Sequence, residues 1–225
     1  MNVRDVPLKE FVDSHYKAID EDLAGLRRSN ESEGVPLILT ETEGILDLLV
    51  SLTRPRRILE LGTAHGYSAL FFARKLPDAH ITTIERNPAM IVYAEEEFAR
   101  RKESERIDLR TGDAGEILES LVEELKDADG SEKFDFVFID AAKSHYKEFL
   151  EKVENICTRN ALIVCDNILM KGWIVSAEGP EAKRHRTNIK YMKQFLDYLG
   201  KRDDLETTIL TGGDGLVIIR FRNDQ

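Results

Sequence analysis

No apolar run in this chain approaches the roughly 20 residues needed to cross a bilayer. Its polar opening, MNVRDVPLKEF, also lacks the apolar centre of a secretion signal. Both absences lead to the expectation of a cytoplasmic protein without a membrane partner. Cysteine is scarce: Cys157 and Cys165 are the only two, and they lack the CxxC spacing of a metal or redox pair. They are expected to be small buried apolar side chains. An excess of positive charge is missing as well. The net charge of −10 argues against indiscriminate nucleic-acid binding, which relies on lysines and arginines displacing phosphate counterions. A local basic patch is still open, and Lys183, Arg184, His185 and Arg186 with Lys190 and Lys193 form the candidate; the alternative is a solvated helix face. Repeats, low-complexity tracts and linkers are also lacking, so residues 1–225 are expected to form one domain, with 1–55 as an N-terminal helical extension.

What is present is an alternation. RILEL, HITTIE, IDLRT, FDFVFI and ALIVCD have the composition of strands, and helical apolar spacing falls between them at 67–75, 88–101, 114–125, 144–156 and 181–199. Strands alternating with helices imply crossover connections, hence an α/β fold with a largely parallel sheet. The end breaks the pattern. LETTILT and GLVIIRF are separated only by GGD, which predicts a hairpin and therefore one antiparallel strand. Ahead of the sheet, 8–28 and 40–52 are expected to be helical, joined by the loop SNESEGVPLIL. The first of these is amphipathic and could pack on the domain, cover the site or form a dimer contact.

In a parallel sheet, ligands bind beyond the carboxyl ends of the strands, closest to the first strand-to-helix turn. Here that turn is Gly62-Thr63-Ala64-His65-Gly66. Its glycines allow a tight turn and close backbone approach. The spacing is not GxGxxG, and no GK[ST] follows, so diphosphate ligands are disfavoured. Glu85 ends the second strand, where an acid can accept from both ribose hydroxyls, and Asp113-Ala114 follow the third, where a short acid can meet an adenine amino group. Either acid could instead cap a helix. The ordered set suits an adenosine without pyrophosphate, namely S-adenosylmethionine. Tyr67 and Ser68 open the next helix, where a hydroxyl or the backbone amides could meet the methionine carboxylate, although Ser68 could equally serve as a cap.

Asp140 and the pair Asp166-Asn167 stand where FDFVFID and ALIVCDN run out. Three hard oxygen ligands at adjacent strand ends suit one hard cation, Mg²⁺ or Mn²⁺, with positions left open for substrate. Such an ion makes a substrate hydroxyl easier to deprotonate, and Lys143 is placed to take or stabilise that proton. His65, His145 and His185 receive no role, and Trp173 could stack on an aromatic substrate or fill a lid.

ILELGTAHGYSA, TTIERNP, GDA, FIDAAKSHY and CDNILMKG, in this order, resemble the cation-dependent class I O-methyltransferases, the group of catechol and caffeoyl-CoA O-methyltransferases. The resemblance covers about residues 35–220. It implies a Rossmann-like class I methyltransferase fold with a seven-stranded, mostly parallel sheet, and a homodimer. It places the metal on Asp140, Asp166 and Asn167 and the general base at Lys143. S-adenosylmethionine then lies against Glu60, Gly62, Gly66, Tyr67, Ser68, Glu85, Asp113, Ala114 and Asp140, with Ile38 lining the pocket. Within the group, EGVPLIL, DNILMKG, PEAKRHR and GGDGLVI are similar to the bacterial tRNA 5-hydroxyuridine methyltransferases, which make 5-methoxyuridine at the wobble position. That similarity implies an anticodon stem-loop as partner, with Lys171, Trp173, Lys183, Arg184 and Arg186 as substrate contacts. Trp173 in place of a smaller aliphatic residue and a modest basic stretch depart from that pattern. A small catechol-like phenol is the alternative substrate.

Overall fold

A computed structural model describes residues 6–222; 1–5 and 223–225, part of the expected extension and the chain end, lie outside the described residues. Strands β1 (Arg57–Leu61), β2 (His80–Glu85), β3 (Ile107–Thr111), β4 (Phe134–Ile139), β5 (Cys157–Asp166), β6 (Leu205–Leu210) and β7 (Leu216–Phe221) form one seven-stranded sheet in the order β3-β2-β1-β4-β5-β7-β6. β1 to β5 pair in parallel, and β7 enters antiparallel between β5 and β6. The hairpin signal in GGD therefore yields the one reversed strand.

The central strands are buried on both faces, as expected for a sheet covered by helices on each side. In β4 the period of two is explicit: Val137 and Ile139 join one apolar layer, Phe136 and Phe138 the other. The first layer is closed by α6 (Ala114–Glu124), α7 (Tyr146–Ile156) and α9 (Arg186–Leu199), which follows the short α8 (Gly179–Arg184). The second is closed by α2 (Glu21–Ser32), α3 (Thr40–Thr53), α4 (Tyr67–Lys75) and α5 (Pro88–Ala99). Cys157 and Cys165 are buried, and burial pushes both thiols up, so they are the inert apolar residues expected. Among the described residues no helix is long and apolar enough to cross a membrane.

Three helical expectations are corrected. The stretch 8–28 is not one helix: α1 (Val6–His15) ends, and α2 restarts because Asp20 caps it, accepting from the Leu23 amide at 3.0 Å. α2 then runs on to Ser32, taking the first residues of the predicted loop. The stretch 181–199 divides at His185 into α8 and α9, and 144–156 opens as a 3₁₀ turn over Lys143–His145 before α7. β5 begins at Cys157, earlier than the ALIVCD run, with a register shift between Phe134 and Phe136.

Candidate active site

The sheet order reverses between β1, whose neighbour on one side is β2, and β4, which leads to β5. A cleft opens beyond the strand ends there, as expected for a topological switch point. Gly62 takes φ +105, and a Cβ on it would lie 2.3 Å from the Asp140 carbonyl oxygen, so the β1 turn can pass the end of β4 only as glycine. Gly66 takes φ +84 and starts α4 with no side-chain cap; Ser68 therefore is not the cap that it could have been.

Two cavities flank the Gly62–Asp140 approach and share Gly62, Glu85, Asp140 and Ala141. One, of about 270 Å³, is lined by Asp113, Ala114, Glu148 and Phe149 among others. The other, of about 320 Å³, is lined by Ile38, His65, Tyr67, Ser68, Lys143 and Asn167 among others. A third and larger cavity, about 840 Å³, continues past Lys143 and Asn167 to Trp173, His185 and Asp214.

The predicted cofactor residues thus mostly meet, but two are differently employed. Glu60 is fully buried and absent from the cavity walls. Its Oε2 accepts from Thr83 Oγ1 at 2.5 Å, and Thr83 is bonded in turn to Thr63, so Glu60 buttresses the cofactor loop. The Tyr67 hydroxyl donates to Glu43 at 2.8 Å, so it is already engaged within the protein. Glu85 accepts from Ala64 N at 3.0 Å and from the amides of Arg86 and Asn87, which fixes the loop to the end of β2. Asp113 does act as a helix cap, accepting from Gly115 N at 2.9 Å, while still facing the first cavity.

Burial pushes the Glu60 carboxyl up to about 7, against the downward pull of the Ser68 and Thr83 hydroxyls. Because the folded value lies above the ordinary 4.5, its stabilising contribution is complete below pH 4.5 and is lost as pH rises through about 7. Glu60→Gln, which cannot ionise, is expected to gain on the order of 3 kcal/mol over wild type at pH 8 and nothing at pH 4. Thermal melts across that range read this directly; a pH-independent difference would show that Glu60 does not ionise there.

Asp140, Asn167 and Lys143 converge. Lys143 Nζ donates to Asp140 Oδ1 at 2.5 Å, to Asn167 Oδ1 at 2.8 Å and to the Tyr146 hydroxyl at 2.8 Å. Tyr146, which sequence reasoning missed, donates to the carbonyls of Asp166 at 2.9 Å and Ile139 at 3.2 Å, tying the ends of β4 and β5 together. Its spacing of one helical turn from Lys143 was the available signal. Asp166 is fully buried; Oδ1 accepts from Asn167 N at 2.6 Å and Oδ2 has no partner. Burial and then the neighbouring Asp140 charge push its carboxyl up. Asn167 adopts φ +58, a conformation that asparagine tolerates better than most residues. Among the described residues no three His, Cys, Asp or Glu side chains form a metal cluster; the set here is two carboxylates and an amide.

Trp173 stacks on His185 (5.3 Å between centroids, 16°), and both line the third cavity; Lys171 lies over Trp173 and pairs with Glu181 at 2.9 Å. Lys183, Arg184 and Arg186 are exposed on α8 and α9 and do not line that cavity.

A Rossmann-like sheet with a glycine turn and strand-end acids around one cleft defines a protein that binds a nucleoside-type ligand at its switch point. The chain belongs to the O-methyltransferase family, whose profile matches residues 15–222. It is 32% identical over 194 residues to a catechol O-methyltransferase from Niastella koreensis, covering 85% of this chain and 83% of that one. It is 30% identical to caffeoyl-CoA O-methyltransferase 1 from Zea mays, covering 92% and 81%. The crystal structure of the O-methyltransferase TomG from Streptomyces achromogenes, in complex with SAM, superposes with a TM-score of 0.77 at 27% identity, covering 95% of each chain. The seven-stranded fold and the O-methyltransferase family expected from the motifs are therefore correct.

Proposed function

We propose that this protein transfers the methyl group of S-adenosylmethionine to one hydroxyl of a small catechol-type phenol, with a divalent cation held by Asp140, Asp166 and Asn167. The observation that carries the reading is the convergence at Lys143. A positive ammonium sits between Asp140 Oδ1 and Asn167 Oδ1, and a buried Asp166 oxygen beside them lacks any partner. Buried carboxylate oxygens rarely remain unpartnered, and oxygen donors with one cationic stand-in fit Mg²⁺ or Mn²⁺. Bound there, the ion supplies Lewis acidity toward the acceptor hydroxyl.

This chain's own residues do the rest. The 62–68 loop and Ile38 hold the methionine part of the donor, while Glu85, Asp113 and Ala114 hold the adenosine part. In the transfer the methyl–sulfur bond breaks, a methyl–oxygen bond forms, and the hydroxyl proton leaves. Lys143, the basic group that touches the ligand set and faces the third cavity, receives that proton as the neutral amine, the form that a divalent cation in place of its own positive charge beside Asp140 and Asn167 would favour. The large cavity with Trp173 on its wall accommodates an aromatic acceptor.

One observation favours a second acceptor, 5-hydroxyuridine in a tRNA anticodon stem-loop. Lys183, Arg184, Arg186, Lys190 and Lys193 are all exposed along α8 and α9. Methyl transfer from labelled donor is therefore measured on a simple catechol and on tRNA containing 5-hydroxyuridine, with Mg²⁺ and with chelator. Mg²⁺-dependent labelling of catechol is the expected result, and neutralising Lys183, Arg184 and Arg186 should leave it unchanged. Labelling confined to tRNA, and lost in that triple variant, would replace the small-phenol reading with the RNA one.

A further inference from the structure

Helix α2 contacts both walls of the donor cleft without lining it. Its inward face carries Leu23, Leu26, Arg27 and Asn30, all buried. The leucines account for packing against the second apolar layer. The two polar residues, one turn apart, reach the cleft walls instead. Arg27 Nη1 donates to the Ile38 carbonyl at 3.0 Å, and its Nε donates to the Tyr67 hydroxyl at 3.3 Å. Its guanidinium lies 4.7 Å from the centroid of the Tyr67 ring and 5.5 Å from that of Tyr16. Glu43, from α3, completes the group by accepting from Arg27, Tyr16 and Tyr67. Asn30 uses its carbonyl oxygen to accept from Val35 N at 2.9 Å, and its side-chain oxygen meets His65 Nδ1 at 3.2 Å. Pro36, Leu37 and Ile38 form one wall of the cleft, and His65, Tyr67 and Ser68 form the other.

Stability is a weak reason for this arrangement. A buried ion pair is often matched or exceeded by apolar residues of similar volume, because both charges lose their hydration. The group is also incompletely satisfied, since Asn30 Nδ2 and His65 Nε2 are buried without partners. What the pairing does provide is directional: fixed-length hydrogen bonds to a backbone carbonyl on one wall and to a ring hydroxyl on the other. Resting on the methyl-donor reading above, we propose that α2 is a clamp on the donor cleft. In it, Arg27 is a positioning residue that holds Tyr67 and the 35–38 segment at the separation the donor requires.

Thermodynamic reciprocity follows. If the clamp favours donor binding, a bound donor must tighten α2 by the same free energy. The test is calorimetric binding of S-adenosylhomocysteine to the full chain. Arg27→Gln should raise the Kd by about tenfold or more, the effect of stranding buried partners. It should raise KM for the donor more than it lowers kcat. Arg28→Ala, on the exposed side of α2 where its partner is Glu21, should leave the Kd unchanged. An Arg27→Gln protein that binds as tightly as wild type overturns the clamp, whereas a wild-type protein that does not bind S-adenosylhomocysteine overturns the methyl-donor reading itself. Should Arg27→Gln fail to fold, amide hydrogen exchange on wild type decides. S-adenosylhomocysteine should slow exchange in the last turns of α2 together with 35–38. Protection of the 62–68 loop with no change in α2 would overturn the proposal.

Discussion

Replacing Asp166 with asparagine is expected to lower cation-stimulated methyl transfer by at least about a hundredfold, since even groups one step removed from a metal change affinity by about 10–100-fold. The fold should survive. Asp166 sits at the end of β5, fully buried, with one carboxylate oxygen on the Asn167 amide and the other unpartnered. Without a cation that side chain is a source of instability, because a buried charge lacks the hydration it has in the unfolded chain. Asparagine keeps the size and the acceptor for Asn167 N while removing the charge. Melting temperatures without added metal should therefore be equal to or above wild type, while Mg²⁺ no longer raises the melting temperature or the rate. A variant that retains Mg²⁺-stimulated turnover would remove Asp166 from the ligand set. A variant that merely unfolds would show that the side chain serves packing.

Gly62→Ala is expected to damage both stability and site. Alanine at φ +105 is strained, and its Cβ would lie 2.3 Å from the carbonyl oxygen and 3.0 Å from the carbonyl carbon of Asp140. Backbone cannot swing aside as a side-chain tip can, so the turn after β1 and the end of β4 must separate. Strain and overpacking together cost about 2–4 kcal/mol, and a chain of this size then melts roughly 5–15 °C lower. Because Asp140 is both a cleft wall and a partner of Lys143, S-adenosylhomocysteine affinity should fall as well. Gly34→Ala separates the two causes. Gly34 has φ +71 but nothing within 4 Å of the added carbon, so its loss reflects backbone strain alone. Equal destabilisation of the two variants would show that the approach to Asp140 is not tight.

The parts of the fold legible from residues alone were those with local causes. β1 to β4 were bounded correctly because each is a short apolar or β-branched run closed by a turn. The hairpin followed from GGD for the same reason. Helix ends were less legible where a cap competed with periodicity: apolar spacing continued through 16–20, but Asp20 restarted the helix. For the site, hard oxygen donors at the ends of β4 and β5 were visible as types and positions. Their meeting through Lys143 was consistent with that pattern.

Side-chain employment was much less legible. The motif places Glu60 and Tyr67 against the donor, yet Glu60 braces the loop from a fully buried position and the Tyr67 hydroxyl is held by Glu43. Arg27 and Glu43 carry no motif, since a charged residue on a predicted helix ordinarily faces solvent, and Asn30 falls in the predicted loop.

The sequence by itself determined the α/β order, the reversed terminal strand, the glycine turn and the chemical types at the strand ends, because these depend on residues near one another in the chain. Only the tertiary structure decided that β4 lies beside β1, so that Asp140 closes on Gly62. It alone brought Arg27 and Asn30 from an N-terminal helix onto both walls of the cleft. Such contacts depend on how sheet and helices pack, and the burial that fixes them is shared among many apolar side chains rather than encoded at the residues that meet.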